Sequence, residues 1–214
     1  MQRKRIGAAV SKSRIRRLVQ YKNVFCRHKE LGCSRIYSKT IAESVGITGT
    51  QVRKDFSLLK LTGKKRSGYL IDTLLDNIRH ILNKNTDENR QVILIGKGNL
   101  GSALMKYRGF KKEGFSISAA FDVDPTKCNK RDSFPVLPMG RLKEYVRTNK
   151  IKVAILVVPE IAAQQVLDEL IVAGIKGVLN FAPCFLHYDE RKVLVYNVNL
   201  EQELEHLTYF IGDR

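Results

Sequence analysis

Residues 92–101 read Val92-Ile93-Leu94-Ile95-Gly96-Lys97-Gly98-Asn99-Leu100-Gly101, so that an apolar run leads directly into the pattern G-x-G-x-x-G. A second apolar run ends at Phe121-Asp122, twenty-one residues after Gly101. In a strand–loop–helix unit the first glycine makes the tight turn, the second lets the backbone approach a pyrophosphate, and the third lets helix and strand pack closely. Asp122 is at the distance expected of the residue that accepts a hydrogen bond from the adenosine ribose. The stretch therefore predicts a Rossmann unit that binds NAD rather than NADP, because Asp122 would repel a 2′-phosphate.

Apolar runs alternate with helical patterns in the rest of the second half. Strands are predicted at residues 115–121, 134–137, 153–158, 177–181 and 193–196, and helices at residues 99–107, 140–148 and 161–173. This alternation is typical of a doubly wound α/β fold, in which ligands bind at the strand ends. We therefore expect Val158-Pro159 and Asn180-Phe181-Ala182-Pro183 to line the nicotinamide side of the cleft, with ordinary structural turns as the alternative.

Positive charge is concentrated in the first half of the chain. The formal net charge is +17, and residues 1–86 contain 20 Lys and Arg against 5 Asp and Glu, whereas residues 87–214 contain 18 against 16. Such an asymmetry indicates two functions on one chain, the first half facing a polyanion. A basic domain that is merely solvated is the alternative, but it does not explain why the same segment carries a DNA-binding pattern.

That pattern is the outline of a helix-turn-helix motif. Amphipathic periodicity predicts helices at residues 13–28, 39–44 and 51–59. Ser38 is expected to cap the second helix and Gly46 to end it, while Thr48 or Thr50 caps the third. The third helix would place four side chains in or beside the major groove: Gln51, Arg53, Lys54 and Ser57. Gln can read adenine and Arg can read guanine, whereas Lys and Ser could equally hold phosphates.

A basic turn follows the third helix. Two glycines flank the cations Lys64, Lys65 and Arg66, with strand-like residues outside them. This predicts a short hairpin or wing that contacts phosphates or a narrow minor groove, an exposed turn without a partner being the alternative. A fourth helix is predicted over residues 70–82, and the polar residues 83–90 make a natural domain boundary.

Several classes of protein are disfavoured. No apolar run reaches the roughly 18 residues needed to span a bilayer, and the basic N-terminus lacks the apolar core of a signal peptide. The four cysteines show no C-x-x-C spacing, which indicates free thiols in a reducing cytoplasm. None of the four histidines sits beside an acidic or nucleophilic partner in a recognisable motif, so we expect no catalytic residue and no metal site.

Five motifs, in this order, give the chain a close resemblance to the bacterial Rex family of redox-sensing repressors. They are Gln51-Val52-Arg53-Lys54-Asp55, the glycine loop of residues 96–101, Tyr107-Arg108-Gly109-Phe110, Phe121-Asp122-Val123-Asp124-Pro125 and Leu179-Asn180-Phe181-Ala182-Pro183. The resemblance implies a winged-helix domain joined to a Rossmann domain, acting as a homodimer on an inverted-repeat operator in double-stranded DNA. It also implies that NADH, replacing NAD⁺, releases the protein from DNA, and that the last helix, residues 199–211, is swapped onto the partner subunit. Packing of that helix on its own domain is the alternative.

The chain departs from the family where switching is concerned. By the resemblance, the switch and dimer positions are Asn23, Tyr107, Asn199 and Leu200. The family has Arg at the first and Asp at the third, so an ion pair is replaced by two Asn side chains, whose hydrogen bond would be weaker. Lys97 replaces a small residue of the glycine loop, where it could attract a pyrophosphate or obstruct it. Arg66 replaces a glycine of the wing.

The sequence thus predicts a winged helix-turn-helix domain at residues 1–84, a linker at 85–90, a Rossmann NAD(H) domain at 91–198 and a dimerisation helix at 199–214. The expected nucleotide contacts are Gly96, Lys97, Gly98, Asn99, Leu100, Gly101, Asp122, Val123, Lys127, Val158, Pro159, Asn180, Phe181 and Tyr107. The expected function is transcriptional repression that senses the NADH/NAD⁺ ratio. Three alternatives stay open: a Rex-like repressor without redox switching, an NAD-dependent oxidoreductase with a basic interaction domain, and an architectural protein without sequence preference.

Overall fold

The chain divides into two compact units, Met1–Asp87 and Glu88–Arg214. The structure is a computed structural model that describes residues 11–61, 67–83, 90–128 and 134–212. The predicted linker lies outside these residues except for Arg90, which already belongs to the first strand of the second unit. All four cysteines are described, and none forms a disulfide.

The described part of the first unit contains four helices and one short strand pair. Its elements are α1 (Lys12–Glu30), β1 (Arg35–Ile36), α2 (Ser38–Val45), α3 (Gly49–Leu58), β2 (Tyr69–Leu70) and α4 (Ile71–Asn83). Aromatic rings from α1, α3 and β2 join in its core, where Phe56 makes edge-to-face contacts with Tyr21, Phe25 and Tyr69. Such contacts add to the burial of large apolar surfaces, so α3 is held against the core from one side.

The turn between α2 and α3 is close to the one expected. Gly46 ends α2 with a left-handed backbone (φ 72°), and Thr48 caps α3 by accepting a hydrogen bond from the Gln51 amide at 3.2 Å. The expected cap at Ser38 is wrong. Ser38 is already the first helical residue, and the capping position belongs to Tyr37, which makes no side-chain cap.

The strand after the basic turn pairs with the short strand before α2. Tyr69–Leu70 pairs antiparallel with Arg35–Ile36, a segment distant in sequence. Before the turn, the backbone amide of Leu61 donates to the carbonyl of Phe56 at 2.8 Å, after Lys60 in a left-handed conformation. This hydrogen bond caps the C-terminal end of α3. The tip with Lys64, Lys65 and Arg66 lies outside the described residues.

The second unit is built on a six-stranded parallel sheet. Its strands are β3 (Arg90–Ile95), β4 (Phe115–Asp122), β5 (Val136–Pro138), β6 (Val153–Leu156), β7 (Gly177–Asn180) and β8 (Leu194–Asn197). Their spatial order is β5-β4-β3-β6-β7-β8, with every neighbouring pair parallel. This is the strand order of dinucleotide-binding Rossmann domains, and it reverses direction between β3 and β6, where ligands bind.

Helices cover both faces of this sheet. They are α5 (Asn99–Lys106), α6 (Arg108–Lys112), α7 (Leu142–Thr148) and α8 (Glu160–Ala173), with short 3-10 turns at Pro125–Lys127 and Met139–Arg141. The last helix, α9 (Leu200–Gly212), is exposed along its whole length. Alternate residues of β3 enter two separate cores, Ile93 and Ile95 one, Val92 and Leu94 the other. Because both faces of β3 are buried, this strand needs a continuous apolar run and not an alternating pattern. Within the described residues, no helix is both long and apolar enough to cross a membrane.

A buried carboxylate joins α1 to α3 in the first unit. The side chain of Asp55 is 0% exposed, and Arg17 donates to it from Nε at 2.7 Å and from Nη2 at 2.8 Å. The Tyr21 hydroxyl donates a further bond at 2.8 Å. Burial alone raises the pKa of Asp55, but the hydrogen bonds from Arg17 and Tyr21 and the charge of Arg17 outweigh it and lower that pKa below its ordinary value. Asp55 is therefore ionised in the folded protein at neutral pH.

Asp55→Ala is expected to destabilise the first unit by ~3 kcal/mol, because Arg17 and Tyr21 lose their buried partner. Hydrogen exchange of the α1 and α3 amides in the 214-residue chain measures the loss. Asp72→Ala is the matched control: its ion pair with Lys29 joins two exposed side chains, and such pairs contribute at most about 1 kcal/mol.

The same comparison depends on pH. Because the folded pKa of Asp55 is lowered, its contribution is complete above the ordinary Asp pKa of about 3.9. The contribution is lost as the pH falls through the lowered folded pKa. Equal amide protection in the wild type and Asp55→Ala at pH 7 would contradict the assigned role.

Candidate functional site

The first glycine of the loop is fixed by the sheet. Gly96 follows β3 with φ 100°, and its amide donates to the carbonyl of Phe121 at 2.8 Å. A Cβ atom here would overlap the carbonyl oxygen of Val157, which follows β6. Both the backbone angle and the close approach require glycine, so the turn can leave the sheet only at this residue.

The other two glycines have different roles. A Cβ on Gly101 would overlap the carbonyl oxygen of Gly96, so the absent side chain lets α5 lie directly against the turn. Gly98 is the capping residue of α5, and a Cβ on it would meet nothing within 4 Å. The protein therefore leaves open space at the N-terminus of α5, where unpaired amides and the helix dipole favour phosphate.

Asp122 ends β4 beside the glycine loop. Its side chain is 5% exposed, and Oδ2 accepts a hydrogen bond from the Lys97 amide at 2.7 Å while Oδ1 accepts one from the Asp124 amide at 2.9 Å. The carboxylate thus fastens the loop to the end of β4. Its position beside the loop is the one expected for ribose recognition, and each oxygen retains lone-pair capacity for a hydroxyl donor.

One lysine approaches the same carboxylate, and a second lies against the backbone of the first. Lys127 Nζ lies 3.5 Å from Asp122 Oδ2, and Lys97 Nζ donates to the backbone carbonyl of Lys127 at 3.3 Å. The Lys97 side chain therefore extends towards the segment after β4.

The remaining predicted nucleotide contacts are distributed around the strand ends. Asn99 and Leu100 begin α5 and are exposed, Val123 follows Asp122 and is 81% exposed, and Val158 and Pro159 connect β6 to α8. Tyr107 is 60% exposed and makes an edge-to-face contact with Phe110 at 5.2 Å between ring centroids. Gly109 lies under the Tyr107 ring, where a Cβ would overlap it.

Asn180 is occupied within the fold. Its side chain is completely buried, and its amide nitrogen donates to the Ala182 carbonyl at 3.1 Å and to Asn197 Oδ1 at 3.0 Å. Its Oδ1 accepts from the Ala182 amide at 2.9 Å. These bonds shape the turn after β7 and tie it to β8. The adjacent Phe181 is half-buried and packs against the core.

The candidate DNA-reading residues lie on α3, in the first unit. Arg53, Lys54 and Ser57 are exposed, and Arg53 donates to Thr50 Oγ1 at 3.0 Å and to Ser38 Oγ at 3.4 Å. Gln51 is half-buried, and its Nε2 donates to Asp55 Oδ1 at 3.0 Å. Sequence reasoning missed this contact, although an acid four residues after a glutamine on a helix is the spacing at which such pairs meet.

The predicted switch positions are divided between the two units. Asn23 is exposed on α1. Asn199 caps α9 by accepting a hydrogen bond from the Gln202 amide at 3.0 Å, a capping role for which Asn and Asp are equally suited. Every residue of α9 is exposed, including six large side chains between 56% and 69% exposed, Leu200, Leu204, Leu207, Tyr209, Phe210 and Ile211.

No metal site is evident in the described part of the chain, since no three His, Cys, Asp or Glu side chains cluster there.

Each of the two units matches a different protein-family model. Residues 9–57 match the family model of a putative DNA-binding protein N-terminus, and residues 87–184 match that of a CoA binding domain. Among solved structures, the chain is 32% identical to RSP, a Rex-family repressor. The match to RSP in complex with NAD⁺ and operator DNA covers 95% of this chain and 93% of RSP, with a TM-score of 0.86. The match to RSP in complex with NADH covers 96% of this chain and 95% of RSP, with a TM-score of 0.82.

Curated relatives extend over nearly the whole chain. The redox-sensing transcriptional repressor Rex of Carboxydothermus hydrogenoformans is 40% identical over 206 residues, covering 96% of this chain and 98% of the relative. Rex of Clostridioides difficile is 36% identical, with coverage of 95% and 96%. These relatives are named as repressors and not as enzymes. With the basic helix-turn-helix unit and the glycine cradle beside Asp122 on one polypeptide, they establish that the chain belongs to the Rex family of redox-sensing transcriptional repressors.

Proposed function

We propose that this protein represses transcription by binding an inverted-repeat operator as a homodimer in the cytoplasm, and that NADH releases it. The observation that carries the proposal is the glycine cradle closed by Asp122, joined on one chain to a helix-turn-helix unit rich in Lys and Arg. RSP, at 32% identity, has been solved both with NAD⁺ and operator DNA and with NADH.

The DNA side of the proposal rests on α3. Two copies of α3 would enter successive major grooves, with Gln51, Arg53, Lys54 and Ser57 at base edges and phosphates. The turn with Lys64, Lys65 and Arg66 is assigned to the backbone or minor groove from its sequence. Because many of these contacts are to phosphates, affinity for DNA should fall steeply with salt.

The nucleotide side needs a pocket that distinguishes the two redox forms. A ligand moves a conformational equilibrium only by its differential affinity for the two states. The oxidised nicotinamide ring is cationic and the reduced ring is neutral, so an apolar wall built from Val158, Pro159 and Phe181 favours NADH. NADH would then stabilise an arrangement in which the two copies of α3 no longer match the half-sites.

Dimerisation is assigned to α9. Its apolar side chains need a surface, and the swapped arrangement that the family resemblance implies would supply one on the partner subunit. Asn23 and Asn199 stand where the family has an Arg and an Asp. A repressor that no longer responds to redox state is therefore the second candidate, and the neutral Asn pair is the observation that favours it.

A labelled inverted-repeat duplex, compared with a scrambled duplex by fluorescence anisotropy, tests both candidates. We expect selective binding that NADH reverses and NAD⁺ does not. Selective binding that ignores both nucleotides would leave the second candidate, whereas equal binding of both duplexes would point to an architectural protein. Steady consumption of NADH with a small carbonyl substrate would instead indicate an oxidoreductase.

Arg53→Ala is expected to weaken operator binding about tenfold or more, because one base-edge or phosphate contact per half-site is lost. NADH affinity, measured by nucleotide fluorescence in the absence of DNA, should be unchanged. Operator affinity equal to that of the wild type would remove Arg53 from the interface.

Asp122→Ala is the reciprocal variant. NADH affinity should fall about tenfold, because the ribose loses its acceptor and the Lys97 amide loses the bond that holds the loop. Operator binding without nucleotide should match the wild type. Unchanged NADH affinity would refute the ribose contact.

A further inference from the structure

The buried carboxylate of Asp55 also determines how the amide of Gln51 is oriented. Four hydrogen bonds reach its two oxygens: two from Arg17, one from Tyr21 and one from Gln51. The first three hold the carboxylate in place and keep it ionised, and an ionised carboxylate only accepts hydrogen bonds. The group of Gln51 that faces Asp55 must therefore be the NH₂.

The opposite orientation of the amide is excluded by charge. Turning the Gln51 amide over would bring its carbonyl oxygen to about 3 Å from Asp55 Oδ1, two acceptors with no proton between them. A glutamine on an exposed helix face can turn either way according to its partner. Gln51 cannot, because its partner is buried and held by residues of α1.

The fixed orientation leaves a defined pattern for DNA. One Nε2 proton of Gln51 is donated to Asp55, so Oε1 and the second Nε2 proton remain available to bond a base. Gln51 is the third residue of α3, and residues at the N-terminus of a recognition helix contact base edges. Adenine presents an N6 donor and an N7 acceptor in the major groove, which match Oε1 and the remaining proton, whereas guanine presents only acceptors, at O6 and N7.

We infer that Asp55 is a positioning residue that presets the Gln51 amide to read adenine, and to reject guanine, at one base pair of each operator half-site. The inference rests on the proposed function, since it requires sequence-specific binding through α3. Gln51 and Arg53 then have different roles in α3. Arg53 donates to the hydroxyl groups of Thr50 and Ser38, and not to a buried carboxylate. Gln51 would supply base discrimination without contributing charge.

The experiment measures operator affinity with each base pair of the half-site replaced in turn. The position read by Gln51 is the base pair at which the wild type has a base preference and Gln51→Ala has none. At that position the wild type should prefer adenine over guanine by ~10-fold or more, which is within the range of a good two-bond contact. In Asp55→Asn the preference should fall below ~3-fold there and stay unchanged at the other positions, because the neutral amide can offer either an acceptor or a donor to Gln51.

Matched control variants come from α8. Gln165 donates to Glu169 at 3.2 Å with the same four-residue spacing, but both side chains are exposed and lie in the second unit. Gln165→Ala and Glu169→Gln should leave the base preference unchanged. A shift with either would mean that the assay reports a general effect of amide or charge removal, and would overturn the inference.

A measurement on the wild type keeps the test decisive if Asp55→Asn does not fold. In the NMR spectrum, one side-chain amide proton of Gln51 should exchange with water at least ~10-fold more slowly than those of Gln165, because it is bonded to a buried carboxylate. Equal exchange, a folded Asp55→Asn that keeps its adenine preference, or a preference for guanine at the Gln51 position would each overturn the inference. Wild-type protein that shows no preference at any base pair would instead refute the proposed function.

Discussion

The nucleotide unit depends on one close approach between backbones. Gly96 lies so near the carbonyl of Val157, and Gly101 so near the carbonyl of Gly96, that neither position has room for a Cβ atom. This contact sets the start of α5 against the point where β3 and β6 diverge, and the open side of Gly98 follows from it. Asp122 then fastens the loop through the Lys97 amide. The geometry that suits a dinucleotide is therefore a property of the main chain, with one carboxylate added.

The DNA-binding unit is organised by charge. Its candidate reading helix carries exposed Arg53 and Lys54 on one side and buried Asp55 on the other, where the ionised carboxylate is balanced by Arg17. An unpaired carboxylate in this position would be strongly disfavoured, whereas a paired one joins α1 to α3 through directed bonds. Apolar packing of Phe56 brings the helix to the core, and Asp55 fixes its rotation. One of the few acidic side chains in this strongly basic unit thus links two of its helices.

Sequence reasoning was most successful where a pattern is local and repeated. The apolar runs predicted β3, β4 and β6 because strands buried on both faces need apolar residues throughout, and the glycine spacing located the turn after Ile95. It was least successful where the partner is distant in sequence. Tyr69 pairs with Ile36, a partner that the local pattern around the basic turn does not indicate. The helix α2 begins one residue earlier than expected, so Tyr37, which makes no side-chain cap, stands at the position expected of Ser38. Arg17 and Tyr21 reach Asp55 only through tertiary packing, which no spacing rule could supply. The same is true of Asn197 as a partner of Asn180.

The last helix has a consequence for how the protein responds to its own abundance. A 13-residue helix with every side chain exposed is near the lower limit at which an isolated helix persists in water. In the proposed dimer a second copy supplies a surface that orders this helix, and the fraction of ordered helix then rises with protein concentration. A newly made chain would remain incomplete until it meets another. Repression would then start only above a threshold number of copies per cell, and dilution by growth would relieve it without any change in nucleotide.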